Sequence, residues 1–577
     1  MSCGLGICTE ALRSDGARLF GFAEYLAALA LIVVLWTIVE PRYRLRLEVA
    51  KIDIRRAAFY VIAAVGVLTL ITDLWRAQGW PVIRGSLISP ALWQALMAGA
   101  LLFTFFAWMA VAFLWPPRFS RFNARRFVSV ADGIVRKGSP DELVQLAEAL
   151  GPSAERIVSA AAQDLLPQPG DKDIALNARR LLHTLEDPQF CAAVVKSAPV
   201  TLYAIFGAAS AHPQAARAMS VFSHNVLSAA ISVEGSFLHR ENSDLYAGFA
   251  SRGQQITRRV FGDCDLLDRM DGVFVDFYSY QWRPSELRAY LRAATVVLKN
   301  YASRDRPTHS ITVNQIFSAV GRATSTVRLL NGSDDGQSPH AESARAILEF
   351  IEQVADALGK GGIPVADWNR VDDHDNPINR LAEISCKLIF AASSVTEPMQ
   401  TSWSIQHNLV WSGVFNAHLR HGNAVMAEVH ARVARMIWIQ IRKLEYFPNY
   451  VGTMLLGSCL NIIGVAGNAR RASVFSTRSE RALFWLTRRW VVAHFDCLYR
   501  YHPDMAVAGF NPTLSYRPRS KCLRKMYEPH AGRPKPEYDT LDVEACTART
   551  SKKNYSDFPK KWGNRKRQLS TIFPTAL

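Results

Sequence analysis

Apolar residues in this chain gather in three early blocks and then disperse into stripes. The blocks are Leu19–Val39, Ala57–Trp75 and Leu92–Trp115. Each is about 20 residues long, enough for a helix to cross a hydrocarbon core of roughly 30 Å. Lone segments in lipid must pair their amides internally, which selects the helix. The pattern predicts an all-α membrane protein: three transmembrane helices, then a large, mostly α-helical cytoplasmic domain. That domain is expected as an irregular bundle or an α-solenoid-like stack. Val39-Glu40-Pro41-Arg42 lacks the small residues of a signal cleavage site, so the first block is expected to stay.

Beyond the blocks, the apolar positions follow a helical period. Leu287, Tyr290, Leu291, Ala294, Val297, Leu298 and Tyr301 form one stripe, and Ile347, Leu348, Ile351, Val354, Ala355 and Leu358 another. Ser139-Pro140, Asp187-Pro188 and Ser338-Pro339 each read as a cap followed by a first-turn proline. Gly272–Tyr280 is the best strand signal. A further apolar run, 451–467, contains Asn461 and several glycines. It is expected as a buried core helix rather than a fourth span, because another crossing would carry the basic C-terminus outward. The expected domains are a tail at 1–18, a three-span region at 19–116, helical subdomains at 127–330 and 339–510, and a basic tail at 511–577.

Charge sets the orientation. Arg42, Arg44, Arg46, Lys51, Arg55 and Arg56 fill the first loop, and Arg118, Arg121, Arg125 and Arg126 follow the third block. The second loop has only Arg76 and Arg84. Basic loops stay cytoplasmic, so the N-terminus is expected outside and the C-terminus inside, in the inner membrane of a bacterial-type cell. Net charge is +17, which directs attention to anionic partners. Lys552, Lys553, Lys560, Lys561, Arg565, Lys566 and Arg567, with Trp562 among them, make the tail a candidate contact for membrane lipid or nucleic acid.

Candidate chemistry is sparse. Glu24, Asp73 and Gln94 lie inside the spans toward the outer side. They mark either an ion or ligand contact with Arg76 or Arg84, or helix ends reaching headgroups. His418 and His421 share a helical face, and Asp372-Asp373-His374-Asp375 gathers metal-preferring side chains in a loop. Neither forms a complete ligand set, so no metal is assigned. Arg304 and His309 have a spacing found in some helical ribonucleases, interrupted by Pro307. His494 with Cys497 would suit a thiolate nucleophile, but the surrounding apolar run reads as core. The nine cysteines include no Cys-x-x-Cys pair. Those of the cytoplasmic part are expected as thiols, while Cys3 and Cys8 share the outer side. No phosphate loop, nucleophile elbow, zinc-protease or kinase motif occurs, and no cofactor is assigned.

The expectation is a membrane-held binding, sensing or scaffold module, of the kind used in envelope stress or phage defence, with a protein partner or a second copy of the chain. The alternative is a membrane-tethered hydrolase of nucleic acid or phosphoester, using His374, Asp375, His418 and His421. Transport would need several copies of so small a bundle.

Overall fold

In the computed structural model the chain is mostly helical and divides into two compact units, residues 1–237 and 238–577. The residues described are 2–4, 7–11, 19–38, 41–50, 53–83, 89–114, 117–163, 171–241, 255–274, 282–304, 309–332, 338–362, 365, 375–416, 423–445, 448–465, 477–527 and 536–547. The expected boundary near 331–338 falls inside the second unit, where Gly332 N–H donates to the Glu397 carbonyl at 2.8 Å.

In the first unit, the apolar blocks become α1 (Phe22–Ile38), α3 (Ile54–Ala77) and α4 (Pro90–Met109), the last continued by a π turn over Ala110–Leu114. Among the described residues, Arg56–Ala77 and Ala91–Leu114 are long and apolar enough to cross a membrane. α1 has 17 residues, about 26 Å of helix, and is shorter than the expected block. Tyr25 joins α1 to α3. Its hydroxyl donates to the Ile62 carbonyl at 3.1 Å, and its ring lies over Gly66, where a Cβ would sit 2.6 Å from it. Glycine at 66 is therefore what lets the two helices approach.

Two backbone features connect the ends of these helices. Strand β1 (Ser2–Gly4) pairs with β2 (Ile7–Ala11), placing Cys3 opposite Cys8, and β2 pairs with β3 (Pro81–Ile83) from the loop between α3 and α4. The short basic helix α2 (Pro41–Glu48), between α1 and α3, packs against α5 (Ala124–Lys137) and α6 (Pro140–Leu150).

The rest of this unit is α7 (Ala154–Ala162), α8 (Asp171–Thr184), α9 (Pro188–Ser197), α10 (Pro199–Ala211) and α11 (Ser220–Ser232). Contacts run between helices a few places apart: α5 with α8, α6 with α9, α7 with α10 and α9 with α11. The proline signals start α6 and α9 as expected. Asp187 caps α9 by accepting from Gln189 and Phe190 N–H, both at 2.9 Å. The pair α9–α10 is apolar enough to count as one broken span, but it bends by 107°. Phe190, Val194, Leu202 and Phe206 are buried in the helical body, which accounts for its hydrophobicity.

In the second unit, both sequence stripes face the core. Leu287, Tyr290, Ala294 and Leu298 are buried on the Pro284–Ala302 helix, which packs against Pro339–Lys360 with Ile347, Ile351, Val354 and Leu358 buried. The run near 451–467 contains a 14-residue helix, Tyr450–Ile463, whose side chains are nearly all buried. Its glycines serve packing. A Cβ at Gly457 would lie 1.9 Å from the Gly509 carbonyl oxygen, so the chain at 509 crosses directly over the helix backbone. Residues beyond 274 in the expected strand Gly272–Tyr280 lie outside the described residues.

Among the described residues, the expected tail from 511 contains folded strands. β4 (Leu514–Arg517), β5 (Cys522–Tyr527) and β6 (Glu537–Asp542) form an antiparallel sheet with Leu514 opposite Lys525 and Leu523 opposite Leu541. Leu514, Leu523 and Leu541 turn inward, while Arg517 and Arg519 stay exposed. Period-two burial thus coexists with a basic composition.

Candidate functional site

The three polar residues of the apolar blocks meet at one place. Asp73 accepts from Phe22 N–H at 2.9 Å, Glu24 from Gly21 N–H at 2.9 Å, and Gln94 from Leu19 N–H at 3.1 Å. Gly21 and Phe22 open α1, whose first turn has no intrahelical acceptors, and Leu19 lies in the segment just before it. Glu24 occupies the third helical position and reaches back to the cap residue, which is the carboxylate half of a capping box. Two carboxylates also oppose the positive end of the helix dipole. Trp93 Nε1 donates to Thr72 Oγ1 at 3.1 Å nearby, tying α4 to α3. The sequence flagged these residues as a ligand contact or as helix ends. The described geometry is a cap that binds α1, α3 and α4 together.

A second polar junction joins this helical group to the body of the first unit. Asn123 is 2% exposed. Its Nδ2 donates to the Val49 carbonyl at 3.0 Å and to the Arg118 carbonyl at 3.1 Å, while Oδ1 accepts from Ser120 N–H at 2.8 Å. Both functions of the amide are therefore used. Arg126 donates to the Ala50 carbonyl at 3.0 Å, and Arg46 to the Ala112 carbonyl at 2.9 Å. A π turn displaces its carbonyls from the usual ladder, and Ala112 lies in one. Nothing in the sequence marks Asn123, since a buried amide has no spacing signature. The arginines were legible only as charge.

Of the expected hydrolytic residues, Asp375 is among the described residues. His374, His418 and His421 lie outside them. Asp375 instead pairs with His309, Oδ2 to Nδ1 at 2.6 Å, and accepts from Asn314 Nδ2 on its other oxygen at 2.6 Å. Burial works to raise the Asp375 pKa, but the bonds from His309 and Asn314 outweigh it and hold the carboxyl below its ordinary range. A carboxylate orienting an exposed imidazole is half of a base-and-nucleophile arrangement.

The Cys264 thiol, whose Sγ lies 3.6 Å from Ser310 Oγ, is unsuited to the other half. Cys264 is buried, which pushes its pKa up to about 11. Arg304 pairs with Asp265 at 2.8 Å rather than with His309. It follows the end of the Pro284–Ala302 helix, so the ribonuclease-like spacing does not lie on one helical face. Asp263 caps the Cys264–Met270 helix by accepting from Leu266 N–H at 3.0 Å. Among the described residues, no three His, Cys, Asp or Glu side chains are placed to hold a metal ion.

Cys497 lies in the core, as its apolar run suggested, but the expectation of unpaired thiols throughout this part is corrected. Cys497 is bonded to Cys546, with Cα atoms 4.8 Å apart. The cause is the return of the chain after β6: Glu544 N–H donates to the Val492 carbonyl at 2.8 Å, and Cys546 N–H to Asp496 Oδ2 at 2.7 Å. Asp496 also accepts from Tyr516 Oη at 2.7 Å and pairs with Arg500 at 3.1 Å. Burial opposes its ionisation, but these donors prevail and lower its pKa. Lys525 on β5 is 4% exposed and donates to the Asn461 carbonyl. Lys552, Lys553, Lys560, Lys561, Trp562, Arg565, Lys566 and Arg567 lie outside the described residues.

No family model, curated protein or solved structure matches the chain.

Proposed function

We propose that the protein is a membrane-held binding and sensing module, with three crossings, its N-terminus outside and its helical body on the cytoplasmic side of an inner membrane. Two pairings support three crossings. The N-terminal strands share a sheet with the α3–α4 loop, and the α1–α3 connection packs on the body that follows α4. Alternating sides in this way needs an odd number of passages, with α1 as the additional one. The basic first loop supports the cytoplasmic assignment.

The observation that carries the sensing role is the Asn123 junction. It joins the first loop to the helical body, so a partner that shifts the body also shifts the ends of α1 and α3. The body offers exposed apolar side chains to a protein partner, including Val200, Tyr203 and Val221 on α10 and α11. Hydrogen exchange of the full chain in nanodiscs tests the coupling. Asn123→Ala is expected to accelerate exchange in both 41–50 and 124–137 while leaving 284–302 unchanged. Fast exchange at 41–50 in the unaltered protein would remove the basis for the role.

The hydrolase reading draws on the His309–Asp375 pair alone. A His309→Ala variant that abolished a metal-independent phosphodiesterase activity of the purified chain would favour it over the binding role.

A further inference from the structure

The second unit carries a basic and aromatic helix face. The helix Arg478–Tyr501 is 24 residues long and is capped by Thr477, which accepts from Glu480 N–H at 3.0 Å. One side is core, with Leu483, Phe484, Trp490 and Val491 buried. The other side presents Arg478, Arg481, Trp485, Leu486 and Arg489 to solvent. Three- and four-residue spacing places 478, 481, 485 and 489 on one face, spanning about 16 Å. Arg488 adds a further cation, its guanidinium 5.8 Å from the Trp485 ring.

Within Arg478–Tyr501 the carboxylates are Glu480 and Asp496, and neither faces solvent. Glu480 is buried and accepts from Trp411 Nε1 at 2.7 Å, and Asp496 is buried near the other end. Meanwhile Trp485 is 42% exposed and Leu486 39%.

We infer that this face docks on an anionic lipid surface, with Trp485 and Leu486 entering the headgroup–acyl boundary and the arginines contacting phosphates. The inference rests on the membrane-held reading, because the same chain then keeps the face at high effective concentration near a bilayer. Arginine with tryptophan on one side of a helix is the composition of interfacial helices. The exposed leucine favours lipid over single-stranded nucleic acid, whose recognition uses successive stacking aromatics. Anionic leaflets attract such clusters over a screened distance of about 10 Å, which makes the contact sensitive to salt.

The test uses the full chain with a spin label at Ala482→Cys, an exposed position on the same face. The protein is placed in nanodiscs of phosphatidylcholine with or without phosphatidylglycerol, and relaxation by a lipid-anchored nickel chelate is measured. The chelate should relax the label strongly only with phosphatidylglycerol, and high salt should remove the effect. Arg481→Gln with Arg489→Gln should weaken docking roughly 30-fold, while the paired lysine variant, which keeps the charge, should retain it. Equal relaxation in the two lipids overturns the inference. So does a label that becomes protected only when RNA or another protein is added. Protein that stays out of nanodiscs overturns the anchoring reading instead. In that case the same label is read against added phosphatidylglycerol vesicles, which still decides whether this face binds anionic lipid.

Discussion

Asn123 donates its amide to the Val49 carbonyl at 3.0 Å, joining the helical body to the loop between the first two apolar helices. Both residues are buried, so water cannot readily replace the bond. Asn123→Ala removes the donors to Val49 and Arg118 together, and the buried Val49 carbonyl left unsatisfied costs about 1–3 kcal/mol. The expected result is a lower melting temperature for the first unit in nanodiscs, with that of the second unit unchanged. An unaltered melting curve would mean that the junction contributes little.

The cap of α1 predicts a graded response. Asp73→Ala leaves Phe22 N–H without its carboxylate and is expected to cost about 1 kcal/mol, typical of a lost cap. Asp73→Asn keeps an acceptor while losing the favourable charge at the helix N-terminus, so it should fall between the two. A cysteine at Leu19, probed with a membrane-impermeant maleimide, should react faster in the order unaltered, Asn, Ala. Equal rates would show that Glu24 and Gln94 hold the helix end without Asp73.

The Cys497–Cys546 bond closes a loop of 49 residues in sequence separation and ties the C-terminal sheet to the Arg478–Tyr501 helix. Its loss is expected to cost roughly 2–4 kcal/mol. Reductant should lower the melting temperature of the unaltered protein but not that of Cys546→Ser. The pair also reports its compartment, since cytoplasmic thiols are normally kept reduced. Acid-trapped cells should therefore carry it as thiols and air-purified protein as the disulfide. A disulfide already formed in the trapped cells would argue against the cytoplasmic side.

Asp496 gives a pH dependence of known sign. Its pKa is lowered in the fold, so its contribution is complete above the ordinary aspartate value of about 3.9 and disappears as pH falls from there through the lower folded value. Acid should loosen the sheet at 514–542 over that window. Asp496→Asn should flatten the dependence while lowering stability at neutral pH. Hydrogen exchange at Leu523 and Leu541 follows both effects.

The sequence exposed those features that repeat along the chain or carry local punctuation. Stripes such as Leu287–Tyr301 and Ile347–Leu358 mark the core because helical period and burial are one geometry. Ser338-Pro339 begins a helix because a capped proline suits only a first turn. The sheet at 514–542 was hidden by its arginines and lysines and by strands of four to six residues, too short to establish a period. The Cys497–Cys546 pair and the Asn123 junction depend on chain segments that meet only after folding. Glu24, Asp73 and Gln94 were legible as costly residues in apolar blocks, but not as one cluster, because their common partner is the backbone of 19–22, at the entry to α1.

The proposed three passages put the α3–α4 connection and the helical body on opposite sides of the membrane. Single cysteines at Arg84, in the α3–α4 loop, and at Arg136, on α5, can be labelled in intact cells with an impermeant maleimide. The position at 84 is expected to react in intact cells, and that at 136 only after the membrane is opened. Labelling of 136 in intact cells, or of both positions equally, would contradict the account.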